Sequence, residues 1–326
     1  MSPSDASTAA TPASASAAPA AQPADIAAGL ATALAAFLIW GFAPLYFKAI
    51  DRVGAAEIMA HRVVWTLLML IVIVVALGRR REVLAALATR RRFAILAVTT
   101  GLVTVNWFTF IWAILNDRLL EASLGYYINP LVNVVLGVAF LAERLSPRQG
   151  VSVLLAVVGV GVLIAGFGTV PWVALLLAFT FGFYALVRKK ARIDPLVGLL
   201  VETLLVAPVA LAYLAWIAAA GGGSFGVQGW GISLALIAAG VVSGAPLVLY
   251  MYGAQRLTLS TIGLMQYLAP TIHFGLALLV FGEAFTITHL ATFGFIWAGL
   301  ALYSWDAMAH YRRLAAAAEG RRPKPP

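Results

Sequence analysis

The stretch GYYINPLVNVVLGVAFLAER, residues 125–144, is an apolar run that is interrupted by Asn129-Pro130 and ends in a glutamate and an arginine. A proline inside a helix removes a backbone hydrogen bond and costs about 3 kcal/mol in water. A second stretch, MQYLAPTIHFGLALLVFGEA at residues 265–284, has the same layout. The identical pairs, each 140 positions apart, are Tyr127/Tyr267, Pro130/Pro270, Leu136/Leu276 and Glu143/Glu283. The chain therefore contains an internal duplication.

The composition is that of a chain built for a membrane. Hydrophobic residues make up 62% and charged residues 11% of the 326 positions, whereas soluble proteins contain about 25% charged residues. The net charge of +9 is spread in short bursts between apolar segments, which is typical of membrane proteins and does not indicate nucleic-acid binding. Because cysteine is absent, disulfides, thiol catalysis and cysteine metal sites are excluded.

Ten apolar segments are long enough to cross a bilayer as helices, which takes about 20 residues each. The predicted helices are 28–50, 57–77, 93–115, 121–142, 149–167, 171–187, 196–218, 231–252, 260–281 and 287–308. Irregular backbone cannot face lipid, so the fold class is an all-α integral membrane protein with ten transmembrane helices. The Ala-, Ser-, Pro- and Thr-rich residues 1–25 are predicted to be a disordered tail, and residues 310–326 a basic tail.

The loop charges predict the orientation of these helices. The segment GRRREVLAALATRRR, residues 78–92, carries six arginines. With ten helices, these arginines and most other loop Lys and Arg residues fall on one side, and the opposite loops hold only Arg52 and Arg118. By the positive-inside rule, both termini are cytoplasmic.

The duplication divides the chain into two five-helix units, residues 26–168 and 169–309. Further matches at nearly the same spacing pair Glu57 with Glu202 and Gly159 with Gly299. Because five is odd, the second unit enters the membrane from the opposite side, which makes an inverted repeat. Such repeats are common in secondary transporters, whose solute site lies near the membrane midplane between the repeats.

Three segments in this order, EIMAHRVVW (57–65), GYYINPLVNVVLGVAFLAERL (125–145) and QYLAPTIHFGLALLVFGE (266–283), resemble the EamA-domain transporters of the drug/metabolite transporter superfamily. The resemblance is greatest to the RarD-type permeases, also called chloramphenicol-sensitivity proteins, and covers roughly residues 26–310. It implies two five-helix EamA units in a bacterial inner membrane and carrier activity on small metabolites. It does not imply a particular solute.

Charged residues are expected where the first two helices meet. Lys48 ends the first helix, and Glu57, His61 and Arg62 begin the second. One interpretation is that these side chains reach to the membrane surface. The other is a positively charged vestibule for a carboxylate or phosphate, in which His61 or Glu57 couples transport to protons.

Glu202 is the deepest predicted acid, seven residues into its helix, and has no basic partner within that helix. A buried carboxylate can carry a proton or bind a substrate amine, and it can equally be half of a structural ion pair. Glu202 therefore joins Glu57 and His61 as a candidate for proton coupling.

Neutral polar residues accompany the two prolines and a third helix. The candidate pathway residues are Asn106, Trp107, Tyr127, Asn129, Asn133, Gln266, Tyr267 and His273, together with Lys48 and Arg62. They either line a pocket next to unwound turns at the prolines or hold helices together by hydrogen bonds of about 1 kcal/mol. The pocket hypothesis places Tyr127 and Tyr267 on one solute.

The function expected from these features is secondary active transport of a small metabolite across the lipid bilayer. The chain has no P-loop for ATP and no clustered constellation of acids and histidines that an enzyme or metal site would need, so we expect no enzyme activity, cofactor or metal. The first interpretation is proton-linked export of an amino acid or similar amphipathic solute. The alternative is an uncoupled or exchange-type carrier of an organic anion, and the assembly is a monomer or a homodimer.

Overall fold

A computed structural model describes residues 23–141, 146–191, 193–257 and 259–319, and within them every regular element is a helix. The twelve helices are α1 (Pro23–Ala49), α2 (Ala55–Ala76), α3 (Arg80–Leu87), α4 (Arg90–Leu115), α5 (Leu119–Leu141), α6 (Pro147–Phe167), α7 (Trp172–Ala191), α8 (Pro195–Ala219), α9 (Trp230–Ala254), α10 (Leu259–Met265), α11 (Leu268–Leu279) and α12 (Ile287–Glu319).

The prediction of ten membrane-spanning segments is confirmed. Ten segments are long and apolar enough to cross a bilayer, and each overlaps one predicted helix, with α10 and α11 together forming the ninth. The short helix α3 lies within the arginine-rich loop. Helix α1 begins at Pro23, inside the predicted tail 1–25, and the rest of that tail lies outside the described residues, as do Glu143 and residues 320–326.

Local capping signals set several helix boundaries. Ser146 caps α6 in a reciprocal capping box with Gln149, and Pro147 occupies the first turn, where a missing N–H costs nothing. Asp194 caps α8, which also begins with a proline. Its carboxylate accepts the backbone N–H groups of residues 196 and 197. These side chains satisfy helix-end N–H groups that would otherwise lack acceptors.

The two duplicated prolines behave differently, and the prediction of an unwound turn at both is wrong for Pro130. Helix α5 runs without a break through Pro130, and most of its side chains are buried. In the second copy, the chain breaks at 266–267, between α10 and α11, just before Pro270. Only the second copy therefore has an interrupted transmembrane helix.

Glycines allow helices to approach closely at matching positions of the two halves. A Cβ atom on Gly159 of α6 would lie 3.0 Å from the carbonyl oxygen of Thr292 on α12, and one on Gly299 of α12 would lie 2.8 Å from that of Ser152 on α6. Small residues permit such backbone contacts in membranes. Helices α6 and α12 thus pack against each other reciprocally.

The two ends of the helix bundle are held by different polar contacts, and we name them the Lys48 end and the Arg79 end. At the Lys48 end, Lys48 Nζ lies 2.8 Å from Asp117 Oδ1. There, Glu283 accepts the backbone N–H groups of residues 119 and 120 at 2.6 and 2.8 Å and so caps α5. At the Arg79 end, the Arg79 guanidinium lies 3.0 Å from Asp194 Oδ2.

Candidate solute site

Arg62 on α2 is a buried cation without an anionic partner among the residues that the structure describes. The residue is 8% exposed, and among the described residues it forms no ion pair with a carboxylate. Its Nη1 points to the weak acceptor Met59 Sδ at 3.7 Å, and its Nε has no acceptor there. A buried charge without a partner is costly, which makes Arg62 unusual among the buried side chains of the described residues.

One aromatic ring contacts Arg62, and further rings lie along the same helix face. The guanidinium lies 3.9 Å from the centre of the Trp107 ring on α4, a cation–π contact. Phe110, three residues further along α4, has its ring centre 5.6 Å from that of Tyr126 on α5 and 5.2 Å from that of His273 on α11. We call these five residues the Arg62 cluster.

His273 of the Arg62 cluster is fixed by a proline on another helix. Pro44 in α1 has no N–H, so the carbonyl of Trp40 lacks its usual partner four residues on. His273 Nε2 lies 3.0 Å from that oxygen. The ring is 3% exposed, and its Nδ1 has no partner among the described residues.

The predicted asparagines connect helices to one another. Asn106 Nδ2 donates to the carbonyl of Leu177 at 2.9 Å and to Thr180 Oγ1 at 3.0 Å. Asn129 Nδ2 donates to the carbonyl of Ala178 at 3.0 Å, and Asn133 Nδ2 donates to Asn129 Oδ1 at 3.1 Å. These bonds tie α4 and α5 to α7 and match the helix-contact interpretation of these residues.

Tyr127 and Tyr267 lie together but not at Arg62. Their rings are stacked 6.5 Å apart, and the Tyr127 hydroxyl lies 2.7 Å from Thr271 Oγ1. The Tyr127 ring also meets Phe293 and Trp297 of α12 edge-on at 6.1 and 6.0 Å. Tyr127 thus faces α12, while its neighbour Tyr126 packs against Phe110 and His273.

Gln266 lies at the break between α10 and α11 and is exposed. Its side chain therefore stands apart from the buried Arg62 cluster. Lys48 is likewise outside the cluster, because it pairs with Asp117 at the Lys48 end.

Glu57 and His61 hold a loop that connects α8 to α9. The Glu57 carboxylate accepts the backbone N–H of Ser224 at 2.6 Å and its hydroxyl at 2.9 Å. The Phe225 ring stacks on His61 with 5.0 Å between ring centres. This loop, GGGSFGVQG at residues 221–229, was not singled out from the sequence, although its glycines around Ser-Phe predict an unusual backbone. Gly221, Gly226 and Gly229 indeed have positive φ angles.

Glu202 on α8 has partners on two other helices. It is 1% exposed, accepts the hydroxyl of Thr99 at 2.7 Å and that of Tyr184 at 3.2 Å, and lies 3.7 Å from Arg188 Nη1. Its basic partner is therefore on α7. Among the described residues, no three His, Asp or Glu side chains are grouped so that they could hold a metal ion.

Sequence reasoning selected Arg62, Trp107 and His273 of the cluster as pathway residues, but neither Phe110 nor Tyr126. The helical period is the sequence signal that could have linked Phe110 to Trp107 and separated Tyr126 from Tyr127. Residues 107 and 110 are three apart and share one face of α4, whereas adjacent residues such as 126 and 127 point about 100° apart.

Comparison with known proteins identifies relatives over nearly the whole chain. The sequence profile of the EamA-like transporter family matches twice, at residues 27–165 and 169–305. An "Uncharacterized transporter" of Vibrio cholerae is 48% identical over 86% of this chain and 93% of its own length. "Protein RarD" of Escherichia coli is 44% identical, over 87% and 96%.

A more distant relative and a solved structure complete these findings. The "Chloramphenicol-sensitive protein RarD" of Pseudomonas aeruginosa is 30% identical over 88% of this chain and 97% of its own length. A solved structure titled "Crystal structure of protein" shares the fold with a TM-score of 0.56 at 20% identity, covering 85% of this chain and 96% of that one. The chain therefore belongs to the EamA-like transporter family and is a multi-pass membrane transporter.

Proposed function

We propose that the protein is a secondary carrier of a small organic anion and that Arg62 binds the anionic group. The supporting observation is that Arg62 is 8% exposed and has no carboxylate partner among the described residues. A guanidinium can bind a carboxylate through two parallel hydrogen bonds, and an incoming carboxylate would offset the cost of burying the unpaired charge.

The sequence-based case for an anion rested on Lys48 and Arg62 together, and the geometry favours Arg62 alone. Lys48 is half-buried and already pairs with Asp117 at 2.8 Å and more weakly with Asp51 at 4.0 Å. Its charge is therefore neutralised at the Lys48 end. The anion site is built on α2, α4, α5 and α11 instead.

We place this site between two inverted repeats, residues 26–168 and 169–309. The double match of the family profile and the reciprocal packing of Gly159 and Gly299 support this division. Arg62, Trp107 and Tyr126 come from the first repeat and His273 from the second. From the bacterial relatives we further propose a bacterial inner-membrane location. From the loop charges we propose cytoplasmic termini, which puts the Lys48 end outside.

A second candidate function is proton-linked export of an amino acid. The observation that favours it is Glu202, a carboxylate that is 1% exposed and bonded to two hydroxyl groups. Such a group can alternate between a protonated and an ionised form when its partners move. The two candidates differ in whether transport responds to a pH gradient.

The test is solute flux in vesicles that contain the purified protein. The probes are labelled benzoate, 3-phenylpropionate, succinate and phenylalanine, each measured with and without an imposed pH gradient. We expect carboxylate flux that falls by about two orders of magnitude in Arg62→Gln and is partly restored in Arg62→Lys. Flux in Arg62→Gln equal to that of the unmodified protein would refute the proposal.

The chain offers a matched control in Arg118. Its guanidinium also lies over tryptophan rings, 5.2 Å from Trp172 and 5.9 Å from Trp112, but it pairs with Glu121 at 2.5 Å. Arg118→Gln should leave flux within about twofold. Flux that depends on the pH gradient and loses this dependence in Glu202→Gln would favour the second candidate.

A further inference from the structure

We infer that the transported anion is a monocarboxylate that carries a hydroxyl group beside the carboxylate and has a flat apolar body. This inference rests on the proposed function, in which Arg62 binds the carboxylate. It adds a second recognition group, His273 Nδ1, which no part of the proposed function uses.

The hydrogen bond to the Trp40 carbonyl fixes the tautomer of the neutral His273 ring. A carbonyl oxygen can only accept, so Nε2 at 3.0 Å must carry the hydrogen and donate it. In the neutral imidazole, Nδ1 is then a hydrogen-bond acceptor. Because the ring is 3% exposed and Nδ1 has no donor among the described residues, this acceptor is unused.

The unused acceptor belongs to the same cluster as the unpaired cation. Arg62 lies over the Trp107 ring of α4, and Phe110, three residues further along the same face of α4, has its ring centre 5.2 Å from that of His273. A solute seated along this face of α4 meets a cation from α2 and an acceptor from α11. The complementary solute presents an anion to the first and a hydrogen-bond donor to the second.

The donor is expected to be neutral. Among the described residues, no carboxylate bonds to a member of the Arg62 cluster: Glu57 is bonded to Ser224, and Glu202 to Thr99 and Tyr184. An ammonium group would thus lie at membrane depth without an anionic partner. The Trp107 ring face that could hold a cation is already covered by Arg62. These facts favour a hydroxyl over an amine.

The rest of the cluster describes the body of the solute. The rings of Trp107, Phe110 and Tyr126 offer flat apolar surface, on which an aromatic group packs well. Arg62 is the only cation of the cluster, so a second carboxylate would stay unpaired. A hydroxylated aromatic monocarboxylate supplies the single anion, the neutral hydrogen-bond donor and the flat apolar body.

Three matched probes test this inference on the full-length purified protein. The probes 3-phenyllactate, 3-phenylpropionate and phenylalanine share one body and differ only in bearing a hydroxyl, a hydrogen or an ammonium beside the carboxylate. Dissociation constants are measured by titration calorimetry. We expect 3-phenyllactate to bind at least about tenfold more tightly than either of the others, since only it satisfies Nδ1 without adding an unpaired charge.

Variants link the preference to His273. In His273→Phe, the advantage of 3-phenyllactate over 3-phenylpropionate should disappear, while His289→Gln, a histidine at the Lys48 end that stacks on Phe285, should keep it. If His273→Phe does not fold, the comparison of the three probes on the unmodified protein decides alone.

Each outcome has a separate meaning. Equal binding of 3-phenyllactate and 3-phenylpropionate, or tighter binding of phenylalanine, overturns the inferred hydroxyl, and binding of none of the three overturns the inferred body. The proposed function survives these results as long as carboxylate flux in the vesicle assay depends on Arg62. It fails separately, if that flux is indifferent to Arg62→Gln.

Discussion

Arg62 and Glu202 are both buried ionisable side chains in membrane-spanning helices, yet their surroundings are opposite. Glu202 has two hydroxyl donors and the Arg188 guanidinium within 3.7 Å. Arg62 has a tryptophan face and a thioether. Buried polar groups are normally satisfied by the protein itself. Glu202 is paired with the Arg188 guanidinium, whereas Arg62 has no carboxylate partner among the described residues. A missing charge partner, more than burial, therefore separates a candidate solute site from a structural network.

The largest effect should come from removing the unsatisfied charge. Arg62→Gln is expected to reduce carboxylate flux in vesicles about a hundredfold while leaving the melting temperature nearly unchanged, because the lost cation–π contact with Trp107 is offset by the removal of a buried charge that has no anionic partner. Flux and thermal unfolding measured on one preparation check this. A large fall in melting temperature with normal specific flux would place Arg62 in the same structural class as Glu202.

The opposite pattern is expected for Glu202→Leu. Loss of the carboxylate leaves Arg188 buried without its anion, which typically destabilises by about 3–5 kcal/mol. Thermal unfolding of the detergent-solubilised protein should show a clearly lower melting temperature. Glu202→Leu with unchanged stability and abolished flux would reverse the assignment and favour proton coupling at Glu202.

Two adjacent tyrosines on α5, Tyr126 and Tyr127, are expected to differ in the same way: one affects transport and the other stability. Tyr126→Leu should weaken carboxylate flux by about tenfold because its ring packs against Phe110 and His273 of the Arg62 cluster. Tyr127→Phe should leave flux within about twofold and cost about 1 kcal/mol of stability, the value of the lost bond to Thr271. If Tyr127→Phe removes flux and Tyr126→Leu does not, the solute binds on the α12 side of α5.

The smallest effect concerns Asp194, a satisfied carboxylate outside the membrane-spanning segments. Partial burial opposes its ionisation, but hydrogen bonds from Arg79 and from the backbone N–H groups of residues 197 and 196 hold its pKa below the usual value. Its stabilising contribution is therefore present above the unfolded-state pKa and is lost as the pH falls through the folded-state pKa.

For this partly exposed pair, solvent screening limits the contribution to about 0.5 kcal/mol. Melting temperatures measured between pH 7 and pH 3 should fall slightly less steeply in Asp194→Asn than in the unmodified protein. Equal slopes would show that Asp194 contributes nothing to acid sensitivity, and that its contact with Arg79 is not a stabilising one.

The positions of the helices can be predicted well from the sequence, whereas the partners of charged side chains cannot. The length and hydropathy of a membrane span are local properties, so each of the ten segments was found, and the order of three motifs identified the family. The partners of Lys48 and Glu202 are Asp117 and Arg188, which lie on other helices. Such pairs depend on helix packing, which no local pattern encodes.

The same limit explains the errors at the duplicated stretch. The helical period distinguishes Tyr126 from Tyr127 but does not say which of them faces a solute. Pro130 looked equivalent to Pro270, yet only the second copy is interrupted, at 266–267. The link between Pro44, the Trp40 carbonyl and His273 joins residues 233 positions apart and becomes visible only in three dimensions.

The most direct test of the central claim is a cryo-electron microscopy map of the full-length protein with bound 3-phenyllactate. If Arg62 binds the solute, the carboxylate oxygens lie within hydrogen-bond distance of its guanidinium, and the ring of the probe packs against Tyr126 and Phe110. Density for the probe between Tyr127 and Tyr267, with Arg62 unchanged and unoccupied, would contradict it.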